Sequence, residues 1–80
     1  MDFLTAQNTD GTTNIAIVGD HEKTAKLCQI MDAGWGQYAD GLTKHNKTTG
    51  KSTAEWSVPD HMVLPFKANY QISLGFMGGL

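Results

Sequence analysis

Residues 67–77 read Lys67-Ala68-Asn69-Tyr70-Gln71-Ile72-Ser73-Leu74-Gly75-Phe76-Met77. Ala68, Tyr70, Ile72, Leu74 and Phe76 are apolar. Lys67, Asn69, Gln71, Ser73 and Gly75 between them are polar or lack a side chain. Successive side chains on an extended chain point to opposite faces, so strict alternation sorts the two kinds of residue onto two sides. The spacing predicts a β-strand over 67–77, buried on one face and wet on the other. A strand of that kind belongs to an antiparallel sheet.

Other segments supply partners for it. Asn8-Thr9-Asp10-Gly11 is a turn signal: Asp offers a side-chain acceptor and Gly tolerates positive φ. It separates residues 2–7 from residues 12–18, which predicts a hairpin. The second strand of that hairpin is apolar on both faces near its end, as a central strand would be. Ala54, Trp56 and Val58 alternate with Thr53, Glu55 and Ser57, which predicts a strand over 52–58. The preceding Asn46-Lys47-Thr48-Thr49-Gly50-Lys51 reads as a hairpin tip, and Pro59-Asp60 as a turn. Met62, Leu64 and Phe66 alternate with His61, Val63 and Pro65. Because Pro65 cannot donate to a ladder, this piece is expected to be short, bulged or at an edge.

One segment changes period. Asp20 is a good N-cap and Glu22 suits a first helical turn. Thr24, Leu27, Cys28, Met31 and Trp35 then share a stripe, predicting a helix of about residues 20–34 that covers the sheet, with stops at Gly34 and Gly36. The expected architecture is α+β: one domain over residues 1–80, an antiparallel sheet of four to six strands, and one helix on one face.

Composition bounds the function. Eighty residues make one small domain of modest stability. The one cysteine, Cys28, rules out an internal disulfide and suits a reducing, intracellular compartment or an assembled particle. There is no apolar run on the order of 18 residues, and no basic-then-apolar signal peptide pattern at the start. All basic charge comes from Lys, and the net charge is −2. Lack of Arg, the best side chain for phosphate and guanine edges, argues against specific nucleic-acid recognition.

No motif implies catalysis, a metal or a cofactor. Thr49-Gly50-Lys51-Ser52 looks like the end of a P-loop, but His45 stands where the first Gly belongs and a strand pattern follows. Lys44, Lys47 and Lys51 could make at most a weak anion contact. Cys28, His21, His45 and His61 match no short zinc spacing, and Cys28 on the helix stripe reads as core. Asp20-His21-Glu22 is explained by capping and the helix dipole. An alternation like that of 67–77 also occurs in membrane barrels, but a single-chain barrel needs about eight strands of about ten residues, which this chain cannot supply. Asn46-Lys47-Thr48 fits the glycosylation triplet without a secretion signal beside it.

The function expected is therefore non-enzymatic: a small self-associating structural or assembly component whose partner is itself or a larger assembly, virion-like in composition only. The nine Thr, nine Gly and low charge suit this. Gly75-Phe76-Met77-Gly78-Gly79-Leu80 sets large apolar groups among glycines, as a docking segment would. Candidate interface residues are Trp35, Tyr38, Trp56, Tyr70, Phe76, Met77 and Leu80, Trp and Tyr being the usual anchors of interfaces. The alternatives are a small inhibitor of a larger protein machine, of the anti-defence type, and a weak nucleic-acid binder through the 44–51 loop.

Overall fold

The computed structural model describes residues 1–40, 44–46 and 48–77, with the backbone alone at 44 and 45. The elements are β1 (Asp2–Gln7), β2 (Thr12–Asp20), α1 (His21–Trp35), β3 (Lys44–Asn46), β4 (Lys51–Pro59) and α2 (Val63–Phe76). Single 3-10 turns, Gly36–Tyr38 and Asp60–Met62, follow α1 and precede α2. The sheet is antiparallel with strand order β1-β2-β4-β3. Three strands are long; β3 adds only a three-residue piece on the outer side of β4.

The β1–β2 hairpin forms where the turn signal places it. Thr12 N–H and its hydroxyl donate to Asp10 Oδ1, and Gly11 takes φ 87°. Gly50 does the same work in the β3–β4 turn, at φ 72°. Such left-handed angles cost a side-chain-bearing residue about 1–2 kcal/mol. β2 is central, as its two-sided apolar character implies. The Asp20 side chain accepts from Lys23 N–H and caps α1.

One face of the sheet carries both helices. Ile15 and Ile17 from β2, and Ala54, Trp56 and Val58 from β4, point to that side at alternate positions. Leu27, Met31 and Trp35 descend from α1, and Phe66 and Tyr70 from α2, to complete the core. Phe66 is its hub. Its ring centroid lies 5.1 Å from that of Trp35, 5.2 Å from Trp56 and 6.1 Å from Phe3. Phe66 meets Trp35 at one end of α1, and Ser73 meets Met31 a turn earlier, so the two helices run antiparallel.

The main correction concerns 67–77. This stretch is helical, not a strand, and it belongs to a second helix beginning at Val63. Its apolar residues satisfy two periods at once. Phe66 and Tyr70 are buried on one helical face, and Leu74 packs half-buried against the same core. Leu64, Ala68, Ile72 and Phe76 share the opposite face. Interleaving the two sets imitates alternation. The edge-strand reading of 61–66 falls with it. Pro65 sits in the first turn of α2, where its missing N–H would have had no helical partner. The α+β class holds, with two helices in place of one.

Candidate functional site

The sequence-derived interface residues separate by burial. Trp35, Trp56 and Tyr70 are core residues, with 8%, 2% and 6% of their surface accessible. They are unavailable as surface contacts in this fold. Tyr38 is half-buried: its ring packs 5.9 Å from that of Trp35, and its hydroxyl lies 3.5 Å from Met62 Sδ. Met77 is half-buried against the core, whereas Phe76 is 78% exposed. Leu80 lies outside the described residues. So do Lys47 and the Lys44 side chain; Lys51 is exposed at the start of β4.

What the structure brings together is a stripe on the outer face of α2. Leu64 and Phe76 are each 78% exposed, Ile72 is 60% exposed, and the small Ala68 lies between. These four follow one another at steps of four, so they line adjacent helical turns. The one charge in α2, Lys67, leans to the flank, with its Nζ 5.7 Å from the Phe3 ring centroid. The outer face is therefore uncharged, an apolar stripe flanked by the exposed amides of Asn69 and Gln71. Reading the segment as a strand hid this, because a strand assigns Ala68, Ile72 and Phe76 to the same buried side as Tyr70.

Among the described residues, both helices lie on the one face of the sheet and none covers the reverse face. Leu4, Ala6, Asn14, Ala16, Asp40 and Glu55 line a shallow depression of about 200 Å³ there. Ligand pockets usually begin at about 300 Å³. The Asp40 N–H donates to the Glu55 carbonyl at 2.9 Å and fixes this rim.

The histidine at the start of α1 has a structural partner that spacing did not reveal. His21 Nδ1 lies 2.7 Å from Ser52 Oγ, and the His21 N–H donates to the Gly50 carbonyl. Ser52 is only 1% accessible, so its hydroxyl is out of reach of a substrate. The pair fastens the start of α1 to β4. Cys28 is half-buried beside the core rather than within it. Among the described residues no three His, Cys, Asp or Glu side chains gather as metal ligands, and no helix is long and apolar enough to cross a membrane.

Comparison with protein-family models, with curated proteins and with solved structures gives no match to this chain.

Proposed function

We propose that this is a non-enzymatic interaction protein that works by self-association, a small structural or assembly component. The observation that carries the reading is the exposed stripe Leu64-Ala68-Ile72-Phe76. A helix apolar on both faces is the pattern of a helix covered on both. The core covers one face of α2, and a second copy covers the other.

The stripe is complementary to itself. In an antiparallel, two-fold pairing of α2 helices, Leu64 meets the second copy's Phe76 and Ala68 meets the second copy's Ile72. Small faces large at the centre, which lets the helices approach. Lys67, on the flank of the contact, then lies about 9 Å along the axis from its own symmetry mate. No like charges confront each other. One helix face is smaller than the roughly 20–30 residues a side of a stable interface. The contact is therefore weak, and it depends on concentration.

Light scattering over a concentration series tests this. The mass rises with concentration for the native chain. It rises less for Ile72→Asp, whose thermal unfolding stays close to native because the position is exposed. A native chain that remains monomeric at high concentration defeats the proposal, as does an Ile72→Asp variant that assembles like the native one.

A further inference from the structure

We infer that β1 is a second self-association site, pairing edge to edge with β1 of another copy. The site is distinct from the α2 stripe: β1 lies in the plane of the sheet, and the stripe points away from it.

The backbone pattern defines the free groups. β1 is the outermost strand on its side of the sheet. Its register with β2 runs unbroken from Asp2↔Val18 to Gln7↔Thr13. The next pair is bonded directly, Asn8 N–H to the Thr12 carbonyl at 2.8 Å. Bonded and non-bonded pairs alternate along an antiparallel ladder. Ala6, Leu4 and Asp2 therefore bond to β2, while Phe3, Thr5 and Gln7 turn their N–H and C=O outward. Thr5 and Gln7 are exposed, and Phe3 is half-buried.

Edge strands normally carry a defence against pairing, such as Lys, Pro, a bulge or an inward charge. β1 has none of these. Its one charge is Asp2, at its first position.

A second copy fits this edge in one register that engages all three free residues. With the two-fold axis at Thr5, that residue exchanges both backbone hydrogen bonds with the second copy's Thr5. Phe3 exchanges both with the second copy's Gln7. On the helix-bearing side two Thr side chains adjoin, a favourable cross-strand pair. On the other side Leu4, 54% exposed, meets the second copy's Ala6. Asp2 falls opposite Asn8, not opposite its own mate.

Charge is complementary along the same seam. Lys67 lies over Phe3. The Gln7 that would pair with Phe3 donates from Nε2 to Asp60 Oδ2 at 3.2 Å. Lys67 of each copy thus lies on the same side of the seam as Asp60 of the other. The two four-stranded sheets become one. Together with the α2 contact, this carries assembly beyond a dimer, since two different isologous patches are in use.

Thr5→Pro is the discriminating variant. It deletes an outward N–H and leaves the bonds to β2 intact, a place where an edge strand tolerates Pro. Thr5→Lys keeps the N–H and sets two ammonium groups against each other at the axis. Circular dichroism checks that each remains folded, and light scattering reads the mass beside the native chain and Ile72→Asp. The expected result is that both Thr5 variants lose one association step and stop at the dimer, below the mass the native chain reaches at the same concentration. In the native chain, the Phe3, Thr5 and Gln7 amides should also exchange more slowly as concentration rises. If Thr5→Pro proves unfolded, Thr5→Lys decides alone. A Thr5→Lys mass equal to the native one, with edge amides indifferent to concentration, overturns the inference. Failure of the α2 reading is separate: it shows as an unchanged mass for Ile72→Asp while the Thr5 variants still dissociate.

Discussion

The Thr13 hydroxyl donates a 2.6 Å hydrogen bond to Asp60 Oδ1, across 47 positions of sequence. Thr13 lies on the inward face of β2 and is 6% accessible. Asp60 opens the 3-10 turn that leads into α2. Its N–H donates to the Gly11 carbonyl, and its other carboxylate oxygen accepts from Gln7. One acidic residue thus binds the first hairpin to the approach of the second helix.

Replacing Asp60 with Ala leaves the buried Thr13 hydroxyl without its acceptor. An orphaned buried group costs about 1–3 kcal/mol. Chemical denaturation of Asp60→Ala should show a loss of that size. Adding Thr13→Val should recover part of it, because the two substitutions act on one bond and are not additive. A double variant as unstable as the sum of the singles would contradict the pairing.

The opposite sign is expected at Thr24. Its side chain is fully buried on the inner face of α1, and Oγ1 has no hydrogen-bond partner among the described residues. Val has nearly the same shape and no hydroxyl to desolvate. Thr24→Val should raise stability by about 1 kcal/mol, read as a higher unfolding midpoint in denaturant. A lower midpoint would mean that the hydroxyl is satisfied in solution.

Two groups give the fold opposite pH dependences. Burial, with the Asp2 charge as a lesser cause, holds the Tyr70 phenol above its ordinary pKa of 10.0. The folded state therefore favours the neutral phenol. Its contribution is complete below pH 10 and fades as pH rises from there through the folded value. The Thr12 hydroxyl, followed by the Thr12 N–H, holds the Asp10 carboxyl below its ordinary 3.8. That contribution is present above pH 3.8 and is lost as pH falls through the lower folded value. Phenolate absorbance of the native chain minus that of Tyr70→Phe should place the Tyr70 transition above 10. Carboxyl NMR should place Asp10 below 3.8 in the native chain and nearer to it in Thr12→Val.

Much of the fold is readable residue by residue, wherever local chemistry and hydrophobic period agree. Asp10-Gly11 makes a turn in any context that flanks it with strands, and it does so here. Asp20, Glu22 and the stripe from Thr24 to Trp35 name α1 through its cap and its buried face. Ala54, Trp56 and Val58 alternate in β4 with no competing helical set. In the candidate surface the residue types are apparent early, Phe76 among them. The opposition of Leu64, Ala68, Ile72 and Phe76 to the core is not, because it exists only in a helix.

By itself, then, the sequence determined the hairpin, the first helix, the long strand β4 and the α+β class. Residues 63–76 were decided by the tertiary structure. They satisfy a two-residue and a four-residue spacing together, and no side-chain cap marks their start: Asp60, the nearest acidic residue, binds Thr13 and Gln7 instead. α1 alone could not cover the inner face of the sheet. Phe3, Ile15, Ile17 and Trp56 needed a second layer above them, and a fifth strand at an edge would have left them wet. Only a helix lays Phe66, Tyr70 and Ser73 over that gap, and in doing so it turns Leu64, Ile72 and Phe76 outward.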